Sequence, residues 1–216
     1  MKTPLLRISV GVVVVLVALV AKATTLPPAT PFGDFSWEAK SKSRPSTGLR
    51  MGSFNIHFEQ TTLAMVQSAV GYGEIAHKGD AAESMYWLCY AVRKPQFNER
   101  VWIIAHGEMG GREHAVTSVI AQKMTSDEVA SDCPILPSSL QPLSLDNGLW
   151  LGARKSKAVD LLGPPSHRSG PWWVFDYSGF VPGNCEPDGF ISLNWLMFEV
   201  KDEHLIQIGA GQVTSC

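Results

Sequence analysis

Met85-Tyr86-Trp87-Leu88-Cys89-Tyr90 and Trp172-Trp173-Val174-Phe175-Asp176-Tyr177 decide how this chain reads. Both are strand-like, rich in the aromatic side chains that suit a pleated, half-buried surface. Each follows a short helical passage that ends at a glycine. The first passage is Thr62-Leu63-Ala64-Met65-Val66-Gln67-Ser68-Ala69-Val70-Gly71. Leu63, Val66 and Val70 recur there at helical spacing, Thr62 is a good N-cap, and Gly71 suits a left-handed end. The second is Ala158-Val159-Asp160-Leu161-Leu162-Gly163-Pro164-Pro165, stopped by its proline pair. Each aromatic strand is followed by two further strand-like runs and a closing cysteine, Cys133 and Cys216.

This echo predicts an α+β fold of two tandem units, each a short helix (or helix pair) packed on a three-stranded antiparallel meander. Unit one would span 53–133, with strands near 85–91, 100–106 and 114–123. Unit two would span 146–216, with strands near 172–178, 190–199 and 204–209. Residues 24–52 carry prolines and a polar tract over 40–48, and read as a flexible linker. Residues 134–145, with Pro134, Pro137 and Pro142, read as a second, Pro-rich linker.

At the N-terminus, Lys2 and Arg7 precede an apolar run over 8–20, and Ala21-Lys22-Ala23 supplies small residues for a signal peptidase. Residues 1–23 are therefore expected to be a signal peptide, and the protein to be exported, periplasmic or secreted. The run is short for a spanning helix, which needs about 20 residues. Membrane contact is expected only through this segment, if it stays uncleaved. Losing Lys2, Arg7 and Lys22 lowers 18 Lys+Arg to 15 against 20 Asp+Glu, a net charge of −5. That mild acidity argues against a nucleic-acid partner, which calls for a clustered basic face.

Export also bears on the four cysteines, which read as two disulfides. In a meander, strands one and three run the same way, so their ends lie at one edge. That geometry predicts Cys89–Cys133 and Cys185–Cys216, one per unit, each worth about 3–4 kcal/mol by chain entropy. The alternative is that some cysteines are free buried thiols.

At Gly152, Ala158 and Leu162-Gly163-Pro164, followed by Trp173-Val174-Phe175-Asp176-Tyr177, the sequence resembles a known pattern. It looks like the small outer-membrane assembly lipoproteins (the SmpA/OmlA type) and the β-lactamase inhibitor proteins built from two such units. Thr62, Val66 and Gly71 occupy the matching cap, core and corner positions of unit one. The resemblance implies a tandem binding protein with one disulfide per unit. Two departures stand out: Arg154 takes the place of a Thr or Ser helix cap, and there is no lipobox cysteine.

Enzyme chemistry has one candidate, His106-Gly107-Glu108-Met109-Gly110-Gly111-Arg112-Glu113-His114. A closed metal site needs four converging ligands. A two-residue Gly110-Gly111 turn would oppose Glu108 to Glu113 and send His106 and His114 to opposite faces. A three-residue turn with a bulge, electrostatically better, would pair Glu108 with Arg112 and bring His106 near His114, still only two imidazoles. The aromatics are more informative. On the first strand Met85, Trp87 and Cys89 share one face, and Tyr86, Leu88 and Tyr90 the other. The expectation is a non-enzymatic, cofactor-free module that binds another protein through an aromatic-rich sheet surface using Tyr86, Tyr90, Trp102 and Trp172. It would act as an inhibitor or an envelope-associated interaction protein. The alternatives are a metal-dependent enzyme on the His106–His114 hairpin and an outer-membrane protein assembly factor.

Overall fold

A computed structural model of the chain describes residues 25–31, 41–107, 111–124, 133–185 and 189–216. The expected signal peptide, the middle of the His106–His114 hairpin and residues 32–40 lie outside these. Among the described residues no helix is long and apolar enough to cross a membrane.

The chain enters with the hairpin of β1 (Gly48–Met51) and β2 (Phe54–His57). Helix α1 (Leu63–Val70) follows, and its ends are set by local chemistry. Thr62 accepts the Met65 N–H in its side chain, and Gly71, at φ 86°, donates its own N–H to Gln67 O. Leu63, Val66 and Val70 form its buried stripe. Strands β3 (Ala76–Lys78), β4 (Met85–Arg93), β5 (Asn98–His106) and β6 (Ser118–Met124) then run in sequence. After β7 (Leu143–Leu145) and helix α2 (Lys155–Leu162) come β8 (His167–Ser169), β9 (Trp172–Val181), β10 (Phe190–Lys201) and β11 (His204–Ser215).

The strands assemble differently from the tandem reading. They form one antiparallel eight-stranded sheet, ordered β3-β4-β5-β6-β11-β10-β9-β8, and a second sheet ordered β2-β1-β7. The molecule is mostly β, not two α+β units of helix on meander. The cause lies at the free edges of β6 and β11, whose backbone N–H and C=O groups need partners. They pair with each other, from Gln207 opposite Gln122 to Gly211 opposite Ser118. The main core correspondingly spans both strand runs. Leu88, Tyr90, Val101 and Ile103 pack in one cluster with Phe175, Leu196 and Phe198, under Leu49, Met51 and Leu145 of the small sheet. β1 and β7 lie in the stretches that read as linkers, and they are paired strands. The third strand of the first run starts at Ser118 rather than 114, because residues 111–113 form a 3₁₀ turn.

Both disulfides are present with the expected partners, Cys89–Cys133 and Cys185–Cys216, their Cα atoms 5.2 and 5.5 Å apart. They fit an oxidising, exported setting. Helix α2 is the weaker helix. Only Ala158 is fully buried, and its N-cap residue Arg154 makes no side-chain capping bond although its φ of −72° and ψ of 143° suit a cap. Arg154→Ser is expected to raise unfolding free energy by about 0.5–1 kcal/mol, read as a shift in urea midpoint at constant m-value.

Candidate functional site

Strand alternation divides the large sheet into two faces. One faces the helices and the small sheet and carries the main core. The other carries Trp87, Cys89 and Trp102 in one cluster and Val174, Trp195 and Met197 in another. The four aromatics expected to form one binding surface are split between these faces. Tyr86 and Tyr90 point to the core side. Tyr90 is fully buried, and its hydroxyl donates to Tyr72 O at 2.9 Å. Burial, and secondarily the nearby Tyr72, pushes its phenol well above the ordinary 10.0. Tyr86 is half-buried, stacked between His77 and His114 at centroid distances of 4.3 and 5.5 Å.

Trp102 and Trp172 lie on the opposite face, Trp102 buried and Trp172 half-buried. What covers Trp102 is the chain's own N-terminal segment. Thr25 O accepts the indole N–H of both Trp87 and Trp102, at 3.1 and 3.0 Å. Beneath this strap the Cys89–Cys133 bridge fastens the following residues along β4. Ala91 N donates to Pro134 O and Leu136 N to Ala91 O. So Tyr90 and Trp102 are interior residues, and no single surface contains all four aromatics.

The hairpin proposed for metal binding also separates. His106 pairs with Met85 in the β4–β5 register and shares its face, while His114 stacks on Tyr86 on the other side. Among the described residues no three His, Cys, Asp or Glu side chains converge as a metal site. His106 Nδ1 lies 2.9 Å from Thr117 Oγ1. Its imidazole keeps an exposed edge, yet the surrounding wall desolvates it and lowers its pKa from the ordinary 6.5.

Between strap and sheet lies a cavity of ≈470 Å³. Pro27 and Pro28 form one wall, and Met85, Ile104, Ile120, Trp195, Met197 and Val213 line the sheet side. Gly209 and Gly211 make room for these side chains. A Cβ at Gly211 would fall 2.3 Å from the Trp195 ring, so the indole lies over bare backbone. Beside Trp195 in register is Asp176, whose buried carboxylate sits 3.8 Å from His167 Nε2. The Asp176 backbone carbonyl accepts Ser41 N–H.

From the cavity mouth an apolar strip runs outward along the same face. Val213 is paired with Leu193, and two residues further Ile191 is paired with Phe180. Phe180 is 69% exposed and Ile191 43%. The hairpin that carries them is tied by Cys185–Cys216 to the end of β11. Sequence reasoning missed Phe180 because the expected strand stopped near 178. The alternation of Trp172, Val174, Asp176, Ser178 and Phe180 on one face was the signal that β9 continues. Compared with known proteins, the chain matches no family model, no curated protein and no solved structure.

Proposed function

We propose that this protein is an exported, non-enzymatic binding module that receives an apolar segment of a partner protein on the strip Phe180, Ile191, Leu193 and Val213. The observation that carries the reading is the exposed Phe180–Ile191 pair, cross-strand neighbours on one face of a disulfide-tied hairpin. A lone exposed hydrophobe is ordinary. A contiguous row on a stiff support is a better anchor, because little side-chain and backbone freedom is lost on docking. The two disulfides support an oxidising compartment, periplasmic or extracellular, as the place where it acts. Inhibition or sequestration of the partner is the role implied by the resemblance around Gly152 and Trp173-Val174-Phe175.

The test is crosslinking capture from the exported fraction with wild type and Phe180→Ala/Ile191→Ala, compared by quantitative mass spectrometry. Both positions are solvent-facing, so the variant should keep the wild-type melting temperature. A hot-spot contribution of about 2 kcal/mol corresponds to roughly 30-fold weaker binding, so specific partners should drop out of the variant sample. Capture of the same partners at the same yield would remove the strip from consideration.

A further inference from the structure

The cavity under the strap is larger than ordinary packing leaves. Protein interiors are packed as densely as organic crystals, with few voids bigger than a water molecule. The destabilisation caused by an empty apolar cavity grows with its volume. At ≈470 Å³ this space falls within the range of sites that hold drug-sized ligands. Its sheet wall combines two methionines, Met85 and Met197, with Trp195, a polarisable lining that adapts to varied apolar shapes. Among the described residues, no Lys, Arg, Asp or Glu lines it. Polar side chains gather at one end, where His106 bonds Thr117 and Ser118 follows in the strand.

The strap is suited to act as the entrance. Pro27 and Pro28 have no backbone N–H and so cannot donate to a strand ladder. At the start of the strap the Thr25 carbonyl is shared by the Trp87 and Trp102 indoles. Among the described residues, 25–31 pair with no strand of the sheet, so displacing them would leave its ladders intact.

We propose that this cavity binds one small, uncharged, largely hydrophobic molecule, its apolar body against Met85, Met197 and Trp195 and a neutral polar group toward His106. The site adjoins the protein-docking strip, sharing Val213 with it, and does not depend on Phe180 or Ile191, which lie outside the lining. Burial lowers the pKa of His106 from the ordinary 6.5, which favours its neutral form.

The test uses the folded, disulfide-intact chain and N-phenyl-1-naphthylamine, a neutral probe that fluoresces in apolar surroundings. Saturable one-to-one binding is expected, with energy transfer from Trp195. A long-chain alcohol should displace the probe at least tenfold better than the fatty-acid anion of equal length. Met85→Trp and Ile120→Phe each fill the cavity and should weaken probe binding tenfold or more while keeping or raising the melting temperature. Phe180→Ala/Ile191→Ala should leave probe affinity unchanged, which separates this site from the docking strip. Absence of saturable binding to the wild type, or unchanged affinity in both cavity-filling variants, would overturn the assignment.

Discussion

Glu99→Ala is expected to destabilise the fold by about 3–5 kcal/mol, the range for removing one partner of a buried ion pair. The Glu99 side chain has no solvent exposure, and Lys94 beside it is 27% exposed. One carboxylate oxygen accepts Lys94 Nζ, and the other accepts the Trp150 indole N–H at 3.1 Å. These bonds tie the β4–β5 hairpin to the turn after β7. Truncation leaves the Trp150 N–H without its acceptor and the Lys94 ammonium partly buried without a counter-charge. The paired variant Lys94→Met/Glu99→Met should cost far less than Glu99→Ala, because replacing both charges removes the desolvation penalty with the attraction. Urea unfolding of the three proteins measures this. A loss below about 1 kcal/mol for Glu99→Ala would match an exposed pair instead.

Gly211→Val should cost about 3 kcal/mol or more, at the upper end for overpacking. Gly211 sits where the two strand runs meet, opposite Ser118 across the β6–β11 seam. A Cβ there would lie 2.7 Å from Thr117 O and 2.8 Å from the Ser118 Cβ, besides striking the Trp195 ring. Thr117 O is itself the acceptor for Gln212 N at 2.8 Å. Backbone cannot swing aside as a side chain can, so the strain falls on the seam. Gly209→Ala is the control: its Cβ meets the flexible Met197 Cγ at 3.3 Å and should cost less than about 1 kcal/mol. Near-ultraviolet circular dichroism would show the Trp195 environment lost in Gly211→Val and kept in Gly209→Ala. Equal losses in the two variants would refute the seam explanation.

That seam also marks where sequence reading ran out. Alternation along 85–91 and 172–178 located β4 and β9 and sorted their side chains by face, because the two-residue period is local. Thr62 and Gly71 likewise revealed the ends of α1 through chemistry confined to a few residues. Meander geometry was enough to pair the cysteines. Which strand edges join is a long-range choice with no period to betray it, and the expected last strand stopped near 209, short of the joint at Gly211. β1 and β7 are four and three residues long, too short for alternation to register. The strap was hidden for a different reason. Prolines exclude a ladder, so 24–52 read as linker, yet a carbonyl such as that of Thr25 still docks on indole N–H groups. For the site, the aromatic content was visible but its partition was not carried through: Tyr86 and Tyr90 fell to one side, Trp102 and Trp172 to the other.

The terminal strands β3 and β8 have a consequence for how copies of this protein coexist. An open eight-stranded sheet carries an unpaired row of backbone groups at each margin, a template on which further chains polymerise. Here β4 and β9, nine and ten residues long, are each flanked by a strand of only three. The flanking strands bring Lys78 and Arg168 to the margins, and the Pro134 and Leu136 backbone occupies β4 further along at Ala91. Each margin is thereby short, charged or taken. Such short, charged flanking strands disfavour growth of the sheet from molecule to molecule.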